Sequence, residues 1–136
     1  MEDQQKTAPL QGVEQVRRSE DFNSYYANNV QFELSAFDLK FILGSLDQRG
    51  GKIAVEQFAE VSITWVEAKL LSFYLQVNIA AHEAEDGKIV IPKRLIPPDA
   101  SIFQLSKELA ENPVAKEARE RYAKIRESFL AENQSS

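Results

Sequence analysis

Thr64-Trp65-Val66-Glu67 decides how this chain folds, because it marks where an extended segment stops and a long helix begins. The Thr64 hydroxyl is placed to accept the Glu67 amide proton, and the Glu67 carboxylate to reach back to the Thr64 amide. A capping box of this kind satisfies donors that a helix start leaves orphaned. From Trp65 to about Glu83 the sequence is apolar around most of a helix circumference. Ala68, Leu71, Leu75, Ile79 and His82 fall on one stripe, and Val66, Leu70, Phe73, Val77 and Ala80 on a second. Lys69, Ser72, Gln76 and Glu83 make the polar strip between them. Two apolar stripes call for cover on two sides: a sheet for one, and a second protomer or the C-terminal helices for the other. Burying one stripe of large side chains is worth about 1.5 to 3 kcal/mol per residue before entropy is subtracted.

Working back from Thr64, three strands are expected. Val30, Phe32 and Leu34 alternate with Gln31 and Glu33, which predicts a strand over Asn29 to Ser35 with one apolar face. Ser35-Ala36-Phe37-Asp38 reads as a turn, and Leu39 to Leu46 as a second strand with Leu39, Phe41 and Leu43 on one face. Asp47-Gln48-Arg49-Gly50-Gly51 supplies turn chemistry, since paired glycines reach positive φ at little cost. A third strand follows over Lys52 to Ile63. Its phase is imperfect: Ile53 and Val55 share a face, Phe58 takes the other, and Val61 and Ile63 return to the first. A bulge is expected near Gln57.

Working forward, Glu85-Asp86-Gly87 ends the helix with a glycine suited to the left-handed cap. Lys88 to Pro92 is short and alternating, a candidate fourth edge strand. Pro92, Pro97 and Pro98 mark a boundary, beyond which helices are expected at Asp99 to Glu111 and Pro113 to Ala131, with Asn112 capping the second. The latter sets Val114, Ala118, Tyr122, Ile125 and Phe129 on one face. The expected fold class is therefore α+β: a three- to four-stranded antiparallel meander packed on a long helix, followed by two C-terminal helices. Its organisation divides into a flexible tail (1–23), the meander and helix (24–92), a helical extension (93–132) and a short disordered tail (133–136).

At 136 residues, 43% hydrophobic and 27% charged, the chain has the length and composition of one globular domain with tails. Sixteen basic against 21 acidic residues give a net charge of −5, which disfavours a general attraction to nucleic acid or anionic lipid. With no cysteine, disulfides, thiolate metal sites and cysteine nucleophiles are excluded. Met1 to Thr7 has no apolar segment behind it, and the apolar stretch Val61 to Ala81 carries Glu67, Lys69, Gln76 and Asn78. Neither a secretory signal nor a membrane span is expected, and a cytoplasmic location is.

Tyr26-Ala27-Asn28-Asn29-Val30, then Phe37-Asp38-Leu39 and Leu43-Gly44, resemble the first motif of a family of small bacterial and archaeal proteins catalogued as a domain of unknown function. Ala68-Lys69, Leu70-Leu71 and Asn78-Ile79-Ala80 ahead of Gly87 and Ile89 are similar to its second, an alanine-lysine pair in a long helix ending in a glycine-isoleucine turn. The resemblance covers about Tyr25 to Pro92. Thr64-Trp65 stands where such proteins usually have Ser-Pro, and His82 where they often have tyrosine. The resemblance implies a fold unit and no reaction.

No residue is assigned a catalytic, cofactor-binding or metal-binding role. His82 is the single histidine and lacks converging ligands, so a structural or surface role is expected. Glu83, Glu85 and Asp86 lack the alternating spacing of a calcium loop. Gly50-Gly51, between Arg49 and Lys52, precedes no helix and reads as a hairpin turn rather than an anion nest. The expectation is a non-enzymatic, homo-oligomeric interaction module, with a dimer favoured and an unknown protein as further partner. Trp65, Leu70, Phe73, Val77, Tyr122 and Phe129 are the interface candidates. Tyr25, Tyr26 and Asn28 are candidates for surface recognition, with packing and turn capping as the alternative reading of this group. The competing function is DNA binding through the C-terminal helices, since residues 88–136 hold nine basic and seven acidic side chains against seven and fourteen in residues 1–87. Arg119, Arg121, Lys124 and Arg126 alternate with Glu117, Glu120 and Glu127, however, the pattern of an exposed, self-paired face.

Overall fold

The glycine pair at 50 and 51 fixes the sheet. In the computed structural model, which describes residues 12–13, 15–102 and 106–133, both glycines take positive φ, 61° and 75°. Two such residues close a two-residue hairpin, and the strands they join are long: β2 (Asp38–Arg49) and β3 (Lys52–Thr64). The turn is thus tighter than the five residues expected, because Asp47, Gln48 and Arg49 pair with Ala54, Ile53 and Lys52 and stay in the ladder. β1 (Asn29–Leu34) pairs antiparallel with the first half of β2, from Asn29 opposite Gly44 to Leu34 opposite Leu39. The sheet is a three-stranded meander in the order β1-β2-β3.

The expected bulge is present beside Gln57. Leu43 lies opposite Ala59 but Gly44 lies opposite Gln57, so Phe58 is an extra residue in β3. Its consequence differs from strict alternation. Ala59, Val61 and Ile63 share a face with Leu43, Phe41 and Leu39, whereas Val55 and Ile53 share the opposite face with Gly44, Leu46 and Gln48. Val61 and Ile63 therefore do not return to the face of Ile53 and Val55. One inserted residue shifts the pairing by one and turns the apolar set over.

α1 (Trp65–Asp86) begins directly after β3 with no linker. The Glu67 amide donates to the Thr64 hydroxyl at 3.2 Å, the first half of the capping box. Its end runs three residues beyond Glu83, where Gly87 at φ 90° donates its amide to the Glu83 carbonyl. None of its residues is buried. The expectation that packing within the chain would bury one of its stripes is not met.

Lys88 to Pro92 pairs with no strand among the described residues, so the expected fourth strand is not seen. The Ile89 amide is taken by the Glu83 carboxylate at 3.0 Å instead. Short 3₁₀ turns follow at Lys93–Leu95 and Ala100–Ile102. Of the expected helix from Asp99 to Glu111, residues 103–105 lie outside the described residues, and one α-helical turn, α2 (Lys107–Ala110), is described beyond them. Asp99 holds the Ser101 amide at 2.8 Å, and Ser106 starts the helix afresh by accepting from Leu109. α3 (Pro113–Asn133) begins as expected, with Asn112 accepting the Val114 amide at 2.9 Å. Residues 1–11 and 14 of the expected N-terminal tail and 134–136 of the C-terminal one lie outside the described residues.

Contacts divide the chain into two units, residues 1–72 and 73–136, the boundary falling inside α1.

Candidate interaction surface

In the first unit the register places nine apolar side chains on one face of the sheet: Val30, Phe32 and Leu34 of β1, Leu39, Phe41 and Leu43 of β2, and Ala59, Val61 and Ile63 of β3. Phe32 and Phe41 meet edge to face at 5.1 Å. None of the nine is buried, and Leu34 is 71% exposed. The reverse face is polar at this end. Lys40 lies 3.5 Å from Glu33 and 3.9 Å from Glu60, bridging all three strands, and the Gln57 amide donates to Gln31 across β2 at 2.9 Å. Gly44 is the one buried residue in the strands. Toward the hairpin tip the polarity inverts, and Leu46, Val55 and Ile53 occupy the face that Lys40 holds below.

The turn joining β1 to β2 is held firmly. The Ser35 hydroxyl accepts the Phe37 and Asp38 amides at 3.1 and 3.0 Å and donates to the Asp38 carboxylate at 2.6 Å, while the Trp65 indole donates to the Ser35 carbonyl at 3.0 Å. At its tip Phe37 is 86% exposed. A fixed aromatic in water resembles a binding anchor more than a packing residue. Sequence reasoning passed over Phe37, whose only signal was an aromatic among turn formers.

The candidates chosen from sequence take different places. Leu70, Phe73 and Val77 lie along one stripe of α1 and are all exposed, with the Phe73 and Tyr74 rings 5.3 Å apart. Trp65, 39% exposed, is tied to the β1–β2 turn as described. Tyr122 is half-buried and donates to the Pro98 carbonyl at 2.6 Å, and Arg126 donates to Pro97 at 2.9 Å, so both anchor the proline segment to α3. Tyr25 stacks on Phe58 at 5.2 Å, covering the bulge. Asn28 accepts the Leu46 amide at 2.6 Å and donates its own amide to Gly44, continuing the β1 edge past its last paired residue. Tyr26, by contrast, is 83% exposed.

In the second unit, the C-terminal half of α1, the Ile89–Ile91 segment and α3 border an open groove of about 710 Å³. Ile79, Ile89, Ile91, Ile125 and Phe129 give it an apolar floor, with Lys124 and Glu132 among its polar rim. Lys88 crosses to the Glu132 carbonyl at 2.9 Å. His82 lies 3.1 Å from Asp86 one helical turn on. Asp99 is held below its ordinary carboxylate value by the Ser101 amide and hydroxyl, with the charges of Arg126 and Arg119 assisting. Among the described residues no group of three or more His, Asp or Glu side chains is arranged to hold a metal ion, and no helix is long and apolar enough to cross a membrane.

The sequence profile of DUF3467, described as a protein of unknown function, matches residues 1–91, which takes in the meander and all of α1. The chain belongs to the DUF3467 family. The family match ends where the described strands and long helix end, leaving the proline segment, α2 and α3 beyond it. No curated protein and no solved structure matches the chain.

Proposed function

We infer that this chain is a non-enzymatic interaction module that works by self-association, with a dimer as the favoured assembly. One observation carries the reading. Among the described residues no apolar side chain is buried, while nine of them share one face of a three-stranded sheet. Soluble monomers rarely leave contiguous apolar patches beyond a few hundred Å² in water. Three strands about 4.8 Å apart, each offering three residues on one face at about 6.6 Å intervals, make a footprint of roughly 300 Å², the size of the largest patch on a typical monomer, which is often a functional one.

Two of the five cations of α3 are engaged locally. Arg121 pairs with Glu117 at 2.7 Å and Arg126 with the Pro97 carbonyl. That favours a protein surface over a phosphate backbone as the partner. Multi-angle light scattering on the purified chain tests the reading: a mass at least twice the 15.4 kDa of one chain is expected. A 15.4 kDa particle at all concentrations would end it.

A further inference from the structure

The free edge of β3 is the second observation about assembly, and it concerns how two copies meet. Among the described residues β3 pairs with β2 on one side and with no strand on the other, over 13 residues. An edge of that length would ordinarily be blunted by proline, an inward charge or a covering element. β3 contains no proline, and its apolar-face residues from the bulge onward are Ala59, Val61 and Ile63. β1, at the other edge, is only six residues long.

Which amides point outward follows from the hairpin. A two-residue turn makes Arg49 and Lys52 a hydrogen-bonded pair, so alternate residues of β2 from Arg49 back to Leu39 face β3. Their partners past the bulge are Ala59, Val61 and Ile63, which leaves the backbone groups of Glu60, Ser62 and Thr64 facing away from the sheet. The segment is bracketed by the bulge at Phe58 and the start of α1 at Trp65. It is also self-complementary. Laid antiparallel on a second copy about Val61, it sets Ala59 against Ile63 on the apolar face and Glu60 against Ser62 on the polar face. No like charges oppose one another in that register. Moving the centre to Glu60 would oppose two glutamates, and moving it to Ser62 would place Ala59 against the helical Trp65.

We propose that two copies of this chain join edge to edge along Phe58–Thr64 of β3, antiparallel and centred on Val61, forming one continuous six-stranded sheet. A twofold axis perpendicular to the sheet keeps both nine-residue apolar faces on the same side, so edge pairing merges them into one surface. The proposal rests on the self-association inferred above and specifies its geometry.

Two variants of the full chain test it. Val61 is its own non-hydrogen-bonded partner in this register, where Cα atoms lie about 4.5 Å apart, within disulfide range. The chain has no native cysteine to confuse the result. Val61→Cys should become a covalent dimer under mild oxidation, and Ser62→Cys and Ile63→Cys should do so at least tenfold more slowly. Ser62→Pro removes only an outward amide and leaves the β2 ladder intact, so it should keep its circular dichroism spectrum yet lose the dimer seen for the unaltered chain. An unaltered chain that associates while Val61→Cys fails to cross-link and folded Ser62→Pro still dimerises would overturn the edge geometry alone. If Ser62→Pro fails to fold, the cross-linking result decides by itself. A monomeric unaltered chain would overturn both this geometry and the self-association beneath it.

Discussion

Gly44 is the residue about which the sheet turns over. A Cβ there would lie 2.9 Å from the Val55 Cγ1 and 3.0 Å from the Glu56 carbonyl oxygen. The neighbours of a side chain at 44 are therefore the bulged strand itself, not solvent. Gly44→Ala should cost about 1 to 3 kcal/mol, the range of an overpacked site, measured by urea unfolding. A neutral result would mean that the bulge relaxes freely. At the other junction Thr64→Ala removes the acceptor for the Glu67 amide, and a loss of about 1 kcal/mol is expected from the same measurement. Asp99 gives a pH signature. Its folded value lies below the ordinary 3.8, so the stability it contributes is complete above 3.8 and disappears as pH falls through the lower folded value. The Ser101 amide shift, followed by NMR on acidification, should have its midpoint below 3.8. A midpoint at or above that value would contradict the hydrogen bond as its cause.

Among the elements, the strands and the long helix were legible because each carries a strong period. Val30, Phe32 and Leu34 alternate cleanly, and Thr64 followed by Glu67 announces the helix. The bulge was legible too, from the misplaced Phe58. Its effect was not, since alternation counted along one strand cannot register that the partner strand has lost step. The C-terminal region failed for a different reason. Asp99 and Ser106 are both good caps, and two caps seven residues apart favour two short turns over one helix, a competition that apolar spacing does not reveal. Candidate residues divide similarly: the α1 stripe was readable from spacing, whereas Phe37 needed the Ser35 hydrogen bonds to be recognised as held in place. The sheet face has its own test. Val61→Lys sets two like charges opposite each other on the apolar face at the centre of the paired edges and should weaken association at least tenfold by sedimentation equilibrium, equivalent to about 1.4 kcal/mol. Glu33→Lys, on the polar face, should change it little. Equal effects from the two would show that the apolar face is not what associates.

For the whole molecule, the proposed self-association would couple stability to assembly. A lone chain gains its hairpin and helix hydrogen bonds, and a partner copy would add burial of apolar surface to them. Where a partner copy stabilises the folded chain, the stability of the fold depends on protomer concentration. Thermal unfolding followed by circular dichroism over roughly a hundredfold range of concentration tests that dependence most directly. The midpoint should climb steadily as the chain is concentrated, and a midpoint that stays fixed across the range, with a sharp two-state transition, would contradict it.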